Sequence, residues 1–208
     1  MKSPGLFVTG TDTGVGKTWV TTGLLRQLRD DRIAAVGMKP IECGGNDDAL
    51  AILAASSDPE LTLQDINQVI LPEPVAPAAA TTPALIDFDQ TLANYKALKS
   101  RADVVVVEGA GGWLVPIDRE RTMADLAAKL DLPVLIVAAN QLGVLNHTLL
   151  TLRAIEAADL TCFGVYLNTL PTAEDQSTES NGRVLRKLLK DVPLFEGNIE
   201  SLARALAS

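Results

Sequence analysis

The sequence predicts one α/β domain whose mostly parallel sheet carries helices on both faces. Two observations lead there. Short apolar runs rich in Val, Ile and Leu alternate with longer segments of helical periodicity along the whole chain, the pattern of strands buried on both faces. A length of 208 residues suits a single core, so residues 1–208 are expected to fold as one domain. Hydrophobic residues at 47% and charged residues at 21% place the chain among ordinary globular proteins.

The elements follow in order. GLFVTG (5–10) reads as a buried strand, followed by a Gly-rich turn and a helix over 18–30. IAAVGM (33–38) predicts a second strand. DDALAILAAS (47–56) predicts a helix with Asp47 or Asp48 near its start, where a carboxylate suits the free N–H groups. LPEPVAPAAATTP (71–83) carries four prolines, which remove amide donors and fix φ, so it reads as a long surface loop. Loops of that length are uncommon without a job. The alternation then resumes with a helix over 87–102, the strand DVVVVEGAG (103–111) and a helix over 122–130. A strand at 133–139, a helix at 144–158 and the strand CFGVYLN (162–168) come next, with further helices at 183–190 and 199–207.

Charge and cysteine usage narrow the function. A net charge of −8 with no basic run argues against a nucleic-acid partner. No apolar run is long enough for a membrane-spanning helix. Cys43 and Cys162 lie far apart in no metal-ligand spacing, and Cys162 opens an apolar run as a small buried hydrophobe. Few cysteines and no recognisable secretory signal point to the cytoplasm.

Ligands of parallel α/β sheets sit at the carboxyl ends of the strands. There the first strand runs into GTDTGVGKT (10–18), which ends like a phosphate-binding P-loop. Five residues separate Gly10 from Gly16, one more than the common pattern. Small residues let backbone N–H groups converge on phosphate oxygens, Lys17 would neutralise β- and γ-phosphate charge, and the Thr18 hydroxyl would ligate Mg²⁺. The bland alternative is an ordinary strand-to-helix turn with a solvated lysine. The hydrophobic run DVVVVE of the third predicted strand ends at Glu108, where the Mg²⁺-handling acids of P-loop proteins sit, and Gly109, Gly111 and Gly112 follow it. Lys39, after the second strand, is either a surface lysine or part of the same site.

Together these motifs resemble dethiobiotin synthetases. The family's lengthened loop has the form G-T-D-T-x-V-G-K-T, matched here by Gly10 to Thr18. Similarity continues in K-P at Lys39, N-x-D-A-L at Asn46 to Leu50, V-E-G-A-G-G-W at Val107 to Trp113, and L-G-x-x-N-H-x-L-L-T at Leu142 to Thr151. The resemblance implies a P-loop nucleotide-hydrolase fold and an ATP-dependent ring closure of 7,8-diaminopelargonic acid with CO2 in biotin biosynthesis. Lys17 and Lys39 would be the catalytic cations, and Thr18, Asp48 and Glu108 the Mg²⁺ ligands. Asp48 rather than Asp47 follows from aligning N-x-D. The nucleotide would meet Gly14, Val15, Gly16, Trp19, Gly109, Ala110 and Gly111, with Asn168, Thr169 and the Glu200–Ser201–Leu202 segment around the base. Thr13, Cys43 and the 109–111 backbone would line the diamine. Leu142 and Asn146 would complete that site across a homodimer interface, and His147 is expected to be a structural residue of its helix. Two departures stand out: Cys43 where relatives commonly carry a hydroxyl, and Glu200 where they often have proline.

A rival reading is a regulatory P-loop ATPase of the partition or division-site type. Those proteins typically place a signature lysine early in the loop, where Asp12 stands here, and often end in a basic membrane helix, unlike IESLARALAS. Related amidoligases usually carry a glutamine-hydrolysing domain, for which this chain has no room.

Overall fold

The structure, a computed structural model, describes residues 5–81, 86–170 and 176–208. Strand β1 (Gly5–Gly10) is buried at every position, as a strand covered on both faces must be. It turns into helix α1 (Lys17–Asp30). Next come β2 (Ala35–Met38), β3 (Ile41–Cys43), α2 (Asp47–Ala55), the single turn α3 (Leu63–Ile66) and β4 (Val69–Leu71). A 3-10 turn at Pro77–Ala79 precedes α4 (Phe88–Lys99), β5 (Val104–Gly112), α5 (Met123–Leu130) and β6 (Val134–Ala139). The chain closes with α6 (Val144–Ala157), β7 (Cys162–Asn168), α7 (Thr178–Leu188), β8 (Leu194–Glu196) and α8 (Ile199–Ala207).

Six strands form a sheet in the order β2-β5-β1-β6-β7-β8, and every pairing is parallel. Helix α1 packs against α2 and α8, while α4 packs against α5. The order reverses direction beside β1, which opens a crevice at the carboxyl edge of the sheet. Register then decides which residues meet there. Val8 of β1 lies level with Glu108 of β5, and Met38 of β2 lies level with Val107. Lys39, one residue beyond β2, therefore emerges beside Glu108.

Some elements differ from the sequence expectation. The parallel pair β3–β4, with Glu42 opposite Ile70, was not foreseen, and neither was β8. Three-residue strands are too short to display a periodicity. Helix α7 begins at Thr178, ahead of the predicted 183, because its first turns hold little apolar patterning. The proline-rich segment contributes Leu71 to β4, and Ala78 N–H donates to Pro116 O at 3.2 Å. Residues 82 and 83 of that predicted loop lie outside the described residues.

Two single-residue expectations need correction. Cys162 is half-buried rather than enclosed, since it opens β7 at the strand's N-terminal end. His147 is exposed, because the buried stripe of α6 runs through Val144, Thr148, Thr151, Leu152 and Ile155. Among the described residues no helix is long and apolar enough to cross a membrane.

Candidate active site

The lengthened loop between β1 and α1 is held in one shape by its glycines. Gly14 and Gly16 have φ of 75° and 91°, a region that side chains other than glycine rarely adopt. A Cβ on Gly16 would also collide with Asn168 Nδ2. That amide donates instead to Val15 O at 2.9 Å, pinning the loop to the end of β7. The free N–H groups of the first turn of α1 and the preceding loop make a cradle for anions.

Lys17 opens α1 and is only 7% exposed, its Nζ 3.4 Å from Asp12 O. Burial, then the neighbouring Lys39 ammonium, depress its pKa to about 8. It is a desolvated cation, and an incoming polyphosphate would relieve that strain. Thr18, beside it, donates its hydroxyl to Glu108 Oε1 at 2.9 Å.

Lys39 is 2% exposed and so is no surface lysine. Its Nζ lies 2.6 Å from Glu108 Oε1, 3.2 Å from Asp48 Oδ2 and 3.3 Å from Gly109 O. Burial disfavours the ammonium, but the Glu108 and Asp48 charges outweigh it and hold the pKa above the ordinary lysine value. The second Glu108 oxygen, Oε2, is buried and has no hydrogen-bond partner among the described residues. A buried, unpartnered carboxylate oxygen is costly unless something completes it. With the Thr18 hydroxyl and Asp48 nearby, it forms a set of hard oxygen donors suited to Mg²⁺, which takes one or two carboxylates and fills its remaining positions with phosphate and water. Asp48 sits in the first turn of α2 facing Lys39, whereas Asp47 is exposed.

These groups line a cavity of about 470 Å³. Lys17, Thr18, Lys39 and Asp48 form its charged side, with the backbone of Ala110 and Gly111 close by. Thr13, Cys43 and the segment Pro74 to Pro77 line it as well. The proline-rich loop thus has a job as a wall of the site. Burial pushes the Cys43 thiol above its ordinary pKa, so it stays protonated and acts as a packing contact.

Other residues singled out from the sequence stand outside that cavity. Leu142 is 80% exposed and Asn146 is exposed, both near the start of α6. Trp19 is exposed and leans on Tyr166, with ring centroids 6.4 Å apart. The Thr169 hydroxyl lies 3.4 Å from Asn140 Nδ2. Glu200 and Ser201 occupy the first turn of α8, while Leu202 is fully buried in the core, leaving only its backbone for a ligand. Sequence reasoning missed Glu42, which is buried and lines the cavity. The available signal was a lone acid inside the apolar stretch I-E-C.

Fold and site define a P-loop nucleotide-binding protein. The AAA domain family matches residues 4–204. Solved structures of similar fold include the septum site-determining protein MinD complexed with Mg-ADP from Pyrococcus horikoshii OT3, at TM-score 0.59 and 16% identity over 98% of this chain and 84% of that one. A ParA family ATPase from Chlorobium tepidum TLS gives TM-score 0.55 and 13% identity over 99% and 89%. Similarity at that level concerns the fold alone. Sequence relatives are far nearer: the ATP-dependent dethiobiotin synthetase BioD of Akkermansia muciniphila is 40% identical over 91% of this chain and 89% of its own length. That of Anaeromyxobacter sp. (strain K) is 43% identical over 98% and 96%. The chain belongs to the ATP-dependent dethiobiotin synthetase family.

Proposed function

We propose that this protein is an ATP-dependent dethiobiotin synthetase that carboxylates 7,8-diaminopelargonic acid with CO2 and closes the cyclic urea, releasing ADP and phosphate. One amine takes up CO2 as a carbamate, whose oxygen attacks the γ-phosphorus. The second amine then attacks the carbamic-phosphoric anhydride and expels phosphate.

The observation that carries this reading is a second buried lysine facing the P-loop across one cavity. Nucleotide hydrolysis needs no such cation, but bringing an anionic carbamate up to a triphosphate does. Lys39 remains an ammonium at neutral pH, so its role is electrostatic rather than that of a base. Lys17 binds the phosphates from the loop side. Thr18, Asp48 and Glu108 would hold Mg²⁺, which when bound neutralises charge on the phosphate oxygens. Thr13 and Cys43 would line the diamine, and Leu142 and Asn146 would reach it from a second subunit. Their exposure, with that of Leu114 and Leu150, supports a homodimer.

The test is phosphate release from MgATP with and without 7,8-diaminopelargonic acid and bicarbonate, with mass detection of the cyclic urea. Release that requires the diamine and yields that mass supports the reading. Hydrolysis indifferent to the diamine would favour a regulatory ATPase instead.

A further inference from the structure

Helix α2 presents Asp48 to the site, and something outside the helix must set its angle. The N-cap residue Asn46 makes no side-chain hydrogen bond to the helix. The first-turn amides are taken by a residue from another element. Glu42 Oε1 accepts from Asp48 N–H at 2.8 Å, and Oε2 accepts from Ala49 N–H at 2.9 Å. Glu42 itself is fixed on β3, paired opposite Ile70 of β4, and is only 5% exposed. Between them, Gly44 and Gly45 have φ of 88° and 131°, which lets the chain turn back so that α2 starts over β3. One carboxylate thus satisfies two adjacent backbone donors and places a negative charge at the helix N-terminus.

We propose that Glu42 is a positioning residue for the metal: it clamps the first turn of α2 through the Asp48 and Ala49 amides and so aims the Asp48 carboxylate into the site. The inference rests on the reading of Asp48 as a Mg²⁺ ligand. Its logic is that of partners behind metal ligands, whose loss costs about 10- to 100-fold in metal affinity. Glu42→Gln keeps the size but not the clamp. A carboxamide offers one acceptor, and its NH₂ group faces an N–H donor.

The experiment compares Glu42→Gln, Asp48→Asn and the parent protein without diamine, so that ligase chemistry plays no part. Binding of a fluorescent ATP analogue is titrated in EDTA and at rising Mg²⁺, and amide hydrogen exchange is followed in the metal-free proteins. Glu42→Gln should speed exchange at Asp48 and Ala49 and raise the Mg²⁺ required for tight binding about tenfold, measured against the variant's own affinity in EDTA. A purely structural role would change exchange but not the Mg²⁺ requirement, and that result overturns the proposal. If Asp48→Asn leaves the requirement unchanged, the ligand role of Asp48 fails and the proposal falls with it. A requirement raised in Asp48→Asn but not in Glu42→Gln refutes Glu42 alone.

Discussion

Replacing Lys39 by methionine removes the charge while keeping most of the volume, and the structure sets the size of the effect. Glu108 is fully buried, and its close ionic partner is Lys39 at 2.6 Å. After the change Glu108 keeps only the Thr18 hydroxyl as a side-chain hydrogen-bond partner among the described residues. Breaking a buried pair from one side costs about 3–5 kcal/mol, because the remaining charge is left uncompensated. The Asp48 contact adds little, since that side chain is 45% exposed. At about 2–4 °C per kcal/mol for a chain of this size, Tm should fall by roughly 6–20 °C in EDTA at pH 7. Excess MgCl2 should recover more of that loss in the variant than it adds to the parent, because the acids have lost their resident cation. Turnover should be nearly abolished at any Mg²⁺ concentration. Thermal melts with and without MgCl2, beside a phosphate-release assay, read all three. A variant melting within about 2 °C of the parent in EDTA would refute the account of Lys39 as the counter-charge of a buried acid.

Further outcomes follow from individual groups. Lys17 has a folded pKa of about 8, below its unfolded 10.5, so charged Lys17 costs the nucleotide-free protein stability below pH 8, and the cost is relieved as pH rises from 8 to 10.5. The shift corresponds to about 3 kcal/mol. Lys39, shifted upward, does not offset that gain, since its contribution is lost only above 10.5. ATP should recharge Lys17, so binding near pH 8–9 should take up a proton and weaken with rising pH; calorimetry in buffers of different ionisation enthalpy measures both, and no uptake would contradict it. Gly16→Ala forces an alanine to φ 91° and a Cβ onto Asn168. It should cost about 1–2 kcal/mol and weaken nucleotide binding more than tenfold, as melts and a nucleotide titration would show. Cys43→Ser should keep kcat within about threefold, since the thiol is a contact and stays protonated. A hundredfold loss would make Cys43 a chemical participant.

The long elements were legible because burial on both faces leaves a continuous apolar signature, as in VVVV before Glu108. Candidate site residues after β1 and in the carboxyl half of β5 were legible too, because the carboxyl edge of a parallel sheet collects ligands; β5 itself runs on past Glu108 to Gly112. Lys39 was ambiguous from sequence, as M-K-P alone does not say whether a lysine is solvated. Only the register of β2 on β5 brings it beside Glu108. Glu42 was overlooked for a related reason. It caps a helix from outside, so the usual search for a cap at the helix start stops at Asn46, Asp47 and Asp48.

The fold could not have settled the function, since MinD and ParA ATPases share it at TM-scores of 0.59 and 0.55. The feature that supports the synthetase reading is Lys39, a second buried lysine on the cavity. In this chain the early loop position is Asp12, whose backbone carbonyl oxygen, 3.4 Å from Lys17 Nζ, takes part in the loop. Lys39 follows β2, which pairs with β5, and lies buried beside Glu108. A cation placed there lines the same cavity as the phosphate cradle, where a second substrate would enter, and is paired with the same acids that would hold the metal. That placement suits transfer to a bound acceptor better than hydrolysis, because the charges of both reacting anions can be neutralised together and the acceptor, rather than water, is the nucleophile.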